Sequence, residues 1–131
     1  MGKSYPVGIV GESNYQRAIG QTSEGDPVTI LLELDNPYSK TGKSLRVENV
    51  YGDVIGYIAD DHWLKSALVH ERQGCQAVVL GIEGNPIGVI LEVCLGFGEI
   101  PMIPYGQKSR SARSGKRSIT SLAESIWKRF V

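Results

Sequence analysis

The alternation of apolar and polar residues predicts a chain built mainly of short strands. Apolar side chains recur at every second position directly after the turn signal at 25–27, at Val28, Ile30, Leu32 and Leu34. This period of two is typical of a half-buried strand. Comparable patterns, bounded by Gly, Pro, Asn and Asp, predict six strands near residues 5–10, 28–34, 45–50, 54–58, 75–82 and 88–95.

A helix is expected between the fourth and fifth strands. Asp60 or Asp61 can cap a helix that reaches about Arg72, and Gly74 is a suitable residue to end it. Leu64, Ala67 and Leu68 fall on one face of this helix, with Trp63 at its edge. Several short strands with one central helix predict a β-rich (all-β or α+β) fold, a small six-stranded barrel of the OB-like or SH3-like size class.

A second helix is predicted at the end of the chain. The segment at 121–124, Ser-Leu-Ala-Glu, has the form of a capping box. The apolar face that follows consists of Leu122, Ile126, Trp127 and Phe130. Because isolated helices of this length are marginal in water, the apolar face implies a partner, in this molecule or in another. Three parts are therefore expected: a barrel domain at 1–106, a basic linker at 107–118 and an amphipathic helix at 119–131.

Charge divides the chain in the same way. Residues 1–106 carry seven basic and thirteen acidic residues, a net charge of −6, whereas residues 107–131 carry seven basic residues and Glu124, a net charge of +6. The basic segment from Lys108 to Arg117 has the composition of a nucleic-acid-binding arm, and equally that of a solubilising linker. A third hypothesis is that the tail docks on the acidic body, of its own or of a neighbouring molecule in a homodimer, and competes with nucleic acid.

Composition limits the other classes of function. The 131 residues contain no run of 18 apolar residues and no apolar run at the start, so we expect a cytoplasmic protein without membrane contact. Cys75 and Cys94 fall inside predicted strands, which favours two buried reduced thiols over a disulfide. Neither lies at a metal-like spacing from a second Cys or His. No metal site and no cofactor are expected.

Catalysis is not expected either. The acidic pair before His62 is explained by helix capping, and consecutive residues at a helix start point in different directions. The Gly-Phe-Gly sequence at 96–98 lacks the Lys and Ser/Thr of a phosphate-binding loop. No Ser, Cys or Thr has a base and an orienting partner suggested by its sequence context.

Three tyrosines stand beside turn-forming residues where a predicted strand begins or ends. They are Tyr15, after the segment Val-Gly-Glu-Ser-Asn, Tyr38, after Asn-Pro, and Tyr57, after Gly56. A tyrosine at such a bend can offer its ring to an unpaired base or pack over its own turn. Stacking on an aromatic ring contributes about 1–3 kcal/mol per base and tolerates any sequence. The tyrosines therefore indicate a single-strand binding platform.

With these segments in order, the chain resembles the HIRAN domain, and in particular a stand-alone, bacterial-type member of that family. The matching motifs are Val-Gly-Glu-Ser-Asn-Tyr at 10–15, Asp-Asn-Pro-Tyr at 35–38, Leu-Arg-Val at 45–47 and Val-Ile-Gly-Tyr-Ile at 54–58. They lie within residues 5–100. The resemblance implies a barrel that binds single-stranded DNA, with a preference for a free 3′ end, and a role in DNA repair by recruiting or protecting DNA.

The resemblance also implies roles for individual residues. Ser13, Asn14 and Tyr15 would contact the strand and stack a base, and Asn36 and Tyr38 would form the end-binding turn. Tyr57 would lie near the terminal nucleotide. The DNA-end-binding members have an acidic residue after the turn tyrosine. That position is Ser39 here, which can bond a sugar hydroxyl but without charge assistance.

Two questions stay open from the sequence. Lys40, Lys43 and Arg46, which follow the turn, either pair with phosphates or form a solvated loop. The whole chain is predicted to bind single-stranded DNA or DNA ends, and the alternative is a protein-interaction or self-association module that uses the barrel face or the C-terminal helix.

Overall fold

The structure of the chain is a computed structural model that describes residues 3–96 and 98–107. Strands dominate it, as predicted. Two short helices, α1 (Gln16–Ile19) and α2 (Trp63–Lys65), lie between strands, and α2 continues as π-helix over Ser66–His70. The strands are β1 (Ser4–Gly8), β2 (Pro27–Leu34), β3 (Lys43–Glu48), β4 (Val54–Ile58), β5 (Cys75–Glu83), β6 (Gly88–Leu95) and β7 (Met102–Pro104).

Six strands form a curled antiparallel sheet in the order β1-β6-β5-β2-β3-β4. Its two outermost strands meet where Val10, just beyond β1, exchanges two backbone hydrogen bonds of 2.7 and 2.9 Å with Tyr57 in β4. This approach requires Gly56, because a Cβ atom there would lie 2.7 Å from Ile9 Cδ1 and 2.8 Å from the Val10 carbonyl oxygen. The prediction of a β-rich, OB-like barrel is confirmed.

A seventh strand was not predicted. Strand β2 pairs with β5 at its first two residues only, and its last three residues run parallel to β7. The pairing is extended by two backbone hydrogen bonds of 2.8 Å, from Leu32 N to the Pro101 carbonyl and from Tyr105 N to the Leu34 carbonyl. The alternation of apolar and polar residues does not reveal β7, because this strand has three residues and ends in a proline, which is depleted in strands.

The core lies between the curled sheet and α2. Leu45, Val47, Ile55 and Leu91 are completely buried, as is Leu64 from the helix. Burial of one such aliphatic side chain stabilises the fold by about 1.5–3 kcal/mol. The predicted apolar face of the central helix is therefore correct, since Ala67 and Leu68 are buried as well.

The extent and the cap of that helix differ from the prediction. A helix was expected from Asp60 or Asp61 to Arg72, but α2 begins at Trp63, and its π-helical extension ends at His70. Its N-cap is His62, whose Nδ1 accepts a hydrogen bond of 3.1 Å from Leu64 N. Asp60 does not cap the helix because its carboxylate pairs with Lys65.

Both cysteines carry free thiols, as predicted, but they are partly buried and not fully buried as expected. Burial, followed by the nearby Cys94, raises the pKa of Cys75 to about 11, so this thiol is protonated at neutral pH. Among residues 3–96 and 98–107, no helix is long and apolar enough to cross a membrane, and no three His, Cys, Asp or Glu side chains are grouped to hold a metal ion. The predicted linker, beyond Gln107, and the predicted C-terminal helix lie outside the described residues.

Candidate nucleic-acid interface

Two of the predicted tyrosines come together at the joint between β1 and β4. Gly11, with φ of 78°, turns the chain into a 3-10 helix over Glu12–Asn14, and Tyr15 follows it. The ring centroids of Tyr15 and Tyr57 lie 6.3 Å apart at an interplanar angle of 50°. The structure thus brings Tyr15 and Tyr57 into one surface, with Ser13 and Asn14 exposed beside it.

A buried row of charges lies behind these rings. Arg46 in β3 is only 3% exposed, and its two terminal nitrogens contact Glu33 Oε2 at 2.9 Å and Glu48 Oε2 at 2.8 Å. Both interpretations of Arg46 from the sequence, a phosphate contact and a solvated loop residue, are therefore wrong. Burial of an arginine requires compensation by carboxylates, and β2 and β3 supply one each.

The hydroxyl of Tyr57 is part of this buried row. It donates a hydrogen bond of 3.0 Å to Glu33 Oε1. Burial, together with the hydrogen bond to Glu33, raises the pKa of the Tyr57 phenol far above its ordinary value. The phenol therefore stays neutral and acts as a donor, and its ring is fixed by a bond to the protein interior rather than free to turn.

The third tyrosine is presented by a turn that Asn36 organises. Asn36 is 6% exposed, its Nδ2 donates to Glu33 Oε1 at 2.8 Å, and its Oδ1 accepts from Tyr38 N at 2.8 Å. Asn36 thus shapes the turn rather than offering its amide to a ligand. Tyr38 itself is 86% exposed, and its ring meets that of Tyr105 at a centroid distance of 6.4 Å and an angle of 63°.

Next to Tyr38, the loop at 39–43 is fastened to the start of α2 by Asp60. The Asp60 Oδ2 atom lies 3.2 Å from Ser39 Oγ and 3.4 Å from Lys40 N, and Oδ1 pairs with Lys65 Nζ at 2.8 Å. Lys65 also donates to Thr41 Oγ1 at 3.0 Å. A carboxylate therefore stands beside the turn tyrosine although the next residue in sequence is a serine.

The pKa of Asp60 reflects these contacts. Desolvation by partial burial acts to raise it, but the hydrogen bond and positive charge of Lys65, with the bonds from Lys40 N and Ser39, lower the pKa of Asp60 below its ordinary value. The carboxylate is thus ionised at neutral pH. The side chains of Lys40 and Lys43 on the same loop are exposed.

A cleft of about 320 Å³ is lined by the Tyr15–Tyr57 pair and by the buried charges. Its lining includes three tyrosines, Tyr15, Tyr57 and Tyr105, and three carboxylates, Glu33, Glu48 and Asp53, with Arg46 and Gln107. Tyr38 adjoins it through Tyr105, whereas Ser39, Lys40 and Lys43 lie outside it on the loop. A second cleft, of about 250 Å³, separates part of β2 from β5, and its described lining contains no aromatic side chain.

Comparison with known proteins shows which fold this chain resembles. No family model matches the chain, and no curated protein matches it. A solved structure does, the crystal structure of the HIRAN domain of human HLTF, at 17% sequence identity and a TM-score of 0.55. The match covers 91% of this chain and 88% of that one. The chain has a HIRAN-like fold. The resemblance deduced from four short motifs is thus confirmed at the level of the HIRAN-like fold.

Sequence reasoning missed four residues of this candidate interface. Tyr105 stands between Pro104 and Gly106, the same signal that identified the other three tyrosines, and it could have been found in that way. Glu33 and Glu48 lie on strands with no local sign that they are buried. Asp60 was assigned to helix capping, and only the folded loop shows that it contacts Ser39.

Proposed function

We propose that this HIRAN-like domain binds single-stranded DNA and recognises its 3′ end at the surface formed by Tyr38 and Tyr105. The observation that carries the proposal is the exposure of Tyr38, at 86%, on a turn held rigid by Asn36. A large ring left in water at a fixed position costs little to order when a base stacks on it. Stacking supplies about 1–3 kcal/mol per base without sequence preference.

In this proposal the other parts of the surface have distinct roles. Bases stack on Tyr38 and Tyr105, with Tyr15 and Tyr57 as further stacking surfaces in the cleft, and Ser13 and Asn14 offer polar contacts beside them. Lys40 and Lys43 pair with backbone phosphates. The domain binds and does not catalyse, so it acts by recruiting or protecting a DNA end.

End recognition is assigned to Ser39 and Asp60 together. A free 3′ hydroxyl can donate a hydrogen bond to the Asp60 carboxylate or bond to Ser39 Oγ, and bonds to an ionised acceptor are the stronger ones. A 3′ phosphate at the same place would meet the negative charge of Asp60. The carboxylate lacking at position 39 is thus supplied from position 60.

Fluorescence anisotropy with labelled oligonucleotides tests the stacking surface. We expect Tyr38→Ala to weaken binding by about 1–3 kcal/mol, or roughly 5- to 150-fold, and Tyr105→Ala to act in the same direction. Trp63→Ala is the matched control, because Trp63 is an exposed ring, at 47%, that packs on Tyr5 and His62. Absence of binding by the unmodified chain at low salt would refute the proposal and favour a protein-interaction module.

The same measurement with free and phosphate-blocked 3′ ends tests Asp60. The unmodified chain is expected to prefer the free hydroxyl, and Asp60→Asn to lose most of that preference. Asp61→Asn removes the same charge from an exposed neighbouring residue and should keep it. Equal affinity for the two kinds of end in all three proteins would mean that the domain binds single strands without recognising their ends. An unchanged preference in Asp60→Asn would mean that Asp60 does not recognise the hydroxyl.

A further inference from the structure

The cleft is acidic, which is unexpected beside a nucleic-acid surface. Among the described residues that line it, three carboxylates, Glu33, Glu48 and Asp53, face one guanidinium, that of Arg46. Two of the carboxylates are buried, where charges are screened less than in water. Such a cleft attracts cations.

The aromatic lining of the cleft suits the same class of ligand. Tyr15, Tyr57 and Tyr105 line it, and the faces of aromatic rings attract Lys and Arg side chains by about 0.5–2 kcal/mol each. Asp53 is exposed and can form an ion pair with an incoming cation. Aromatic rings with carboxylates around them form a receptor for a basic peptide segment.

A basic segment follows the last cleft-lining residue directly in the sequence. Gln107, the last residue described, belongs to the cleft lining, and its backbone nitrogen donates to the Pro104 carbonyl at 3.2 Å. Residues 108–117, which follow, contain five basic residues and no acidic one: Lys108, Arg110, Arg113, Lys116 and Arg117. Ten residues span up to about 35 Å, so the segment can reach every part of the cleft.

We propose that residues 108–117 of this chain dock in the acidic tyrosine cleft and compete there with nucleic acid. The occupant is the chain's own segment because tethering gives it an effective concentration in the millimolar range for short linkers. The charges agree as well, since residues 1–106 carry −6 and residues 107–131 carry +6. Docking does not depend on the function proposed above, whereas competition does.

Zero-length carbodiimide cross-linking of the full chain tests the docking. We expect an amide bond between the Lys116 amine and the Asp53 carboxylate, detected by mass spectrometry, lost in Asp53→Asn and diminished at high salt. In an equal mixture of isotopically light and heavy protein, the linked peptides should come from one molecule. Mixed pairs would assign the cleft to a second copy. Links from Lys116 spread over acidic residues on other faces, such as Glu71 and Glu92, would overturn the docking.

Oligonucleotide affinity of two full-length variants tests the competition. Arg113→Gln with Arg117→Gln removes two charges from the docking segment, and Lys128→Gln with Arg129→Gln removes two charges beyond it. Both variants lose the same general attraction for DNA, so the first should bind several-fold more tightly than the second if the segment competes. Equal binding by the two variants would overturn competition, and weaker binding by the first variant would in addition identify the segment as a DNA contact.

The cross-linking and oligonucleotide experiments distinguish failure of the docking proposal from failure of the nucleic-acid proposal. If no protein binds an oligonucleotide but the Lys116–Asp53 link forms, the docking stands and the nucleic-acid proposal falls. If the oligonucleotide binds and needs Tyr38, but the link is absent, the reverse holds.

Discussion

Asp60 lies outside the sequence motifs that predicted the candidate site, yet its carboxylate contacts the loop that follows Tyr38. Its carboxylate joins Ser39 and Lys40 on one loop to Lys65 on α2, so it positions the turn that presents Tyr38. The ion pair is partly exposed, and exposed pairs contribute little to stability. Its larger effect is on the shape of the surface around Tyr38.

The acid sensitivity of the fold should change when Asp60 is replaced. Because the folded-state pKa of Asp60 is lower than its ordinary 3.8, its contribution to stability is fully present above that pH. It disappears as the pH falls through the lower folded-state value. We expect the difference in unfolding free energy between the unmodified chain and Asp60→Asn to be constant above the ordinary pKa and to shrink below it, measured by urea unfolding across pH. An unchanged difference in strong acid would contradict the prediction.

At the scale of elements, the buried row of Glu33, Arg46 and Glu48 ties β2 to β3 in one register. Glu33 also accepts bonds from Asn36 and Tyr57, so the row connects the turn at Tyr38 with the ring at the joint of β1 and β4. The turn that holds Tyr38 and the ring of Tyr57 therefore depend on the same carboxylate, that of Glu33. A change in the row is expected to disturb both.

Replacement of Arg46 by Met should be strongly destabilising. It removes the guanidinium that pairs with Glu33 and Glu48, and removal of one partner from a buried ion pair typically costs about 3–5 kcal/mol. Urea unfolding at neutral pH measures the loss. Arg46→Lys keeps the charge without the planar fork and should lose less.

The joint between the outermost strands depends on Gly56. A Cβ atom at this position meets the Ile9 side chain and the Val10 carbonyl at less than 3 Å, so Gly56→Ala must push β4 away from Val10. We expect a loss of about 1–3 kcal/mol, with a larger loss of amide hydrogen-exchange protection at Val10 and Tyr57 than in the core. Gly8→Ala is the control, because a Cβ atom added at Gly8 would meet no other atom within 4 Å. Equal losses in both variants would mean that the joint is not tightly packed.

At the scale of the whole molecule, the opposite charges of body and tail determine how binding responds to salt. A body of charge −6 gives no long-range attraction for DNA, so the proposed affinity for single-stranded DNA must come from stacking and from a few local phosphate contacts. Each phosphate neutralised on a single strand contributes about 0.7 to the slope of log affinity against log salt.

The slope of log affinity against log salt therefore measures how many phosphates the loop at 39–43 contacts. We expect Lys40→Gln with Lys43→Gln to reduce it by about 1.4, measured by anisotropy titrations at several salt concentrations. Lys3→Gln with Arg72→Gln makes the same change in net charge at other exposed positions and should leave the slope unchanged. A reduced slope in both variants would indicate general electrostatic attraction instead of defined contacts.

The sequence by itself determined six of the seven strands and the bends at which three tyrosines stand. Strands β4 and β6 have the predicted bounds, since period-two alternation and turn residues are local properties. The central helix was predicted in place but too long, because propensity and spacing did not reveal that Asp60 has a partner other than the helix. The tyrosines at 15, 38 and 57 were found because Gly, Asn and Pro mark bends wherever the chain later goes.

Only the tertiary structure decided which polar residues are buried and which rings meet. Arg46 and Glu33 are 13 residues apart, and the contact of Tyr38 with Tyr105 joins residues 67 positions apart. The parallel pairing of β2 with β7 brings Tyr105 to the cleft, and no local pattern encodes that pairing. Burial of a charge depends on partners that arrive from distant segments, so periodicity along one strand cannot reveal it.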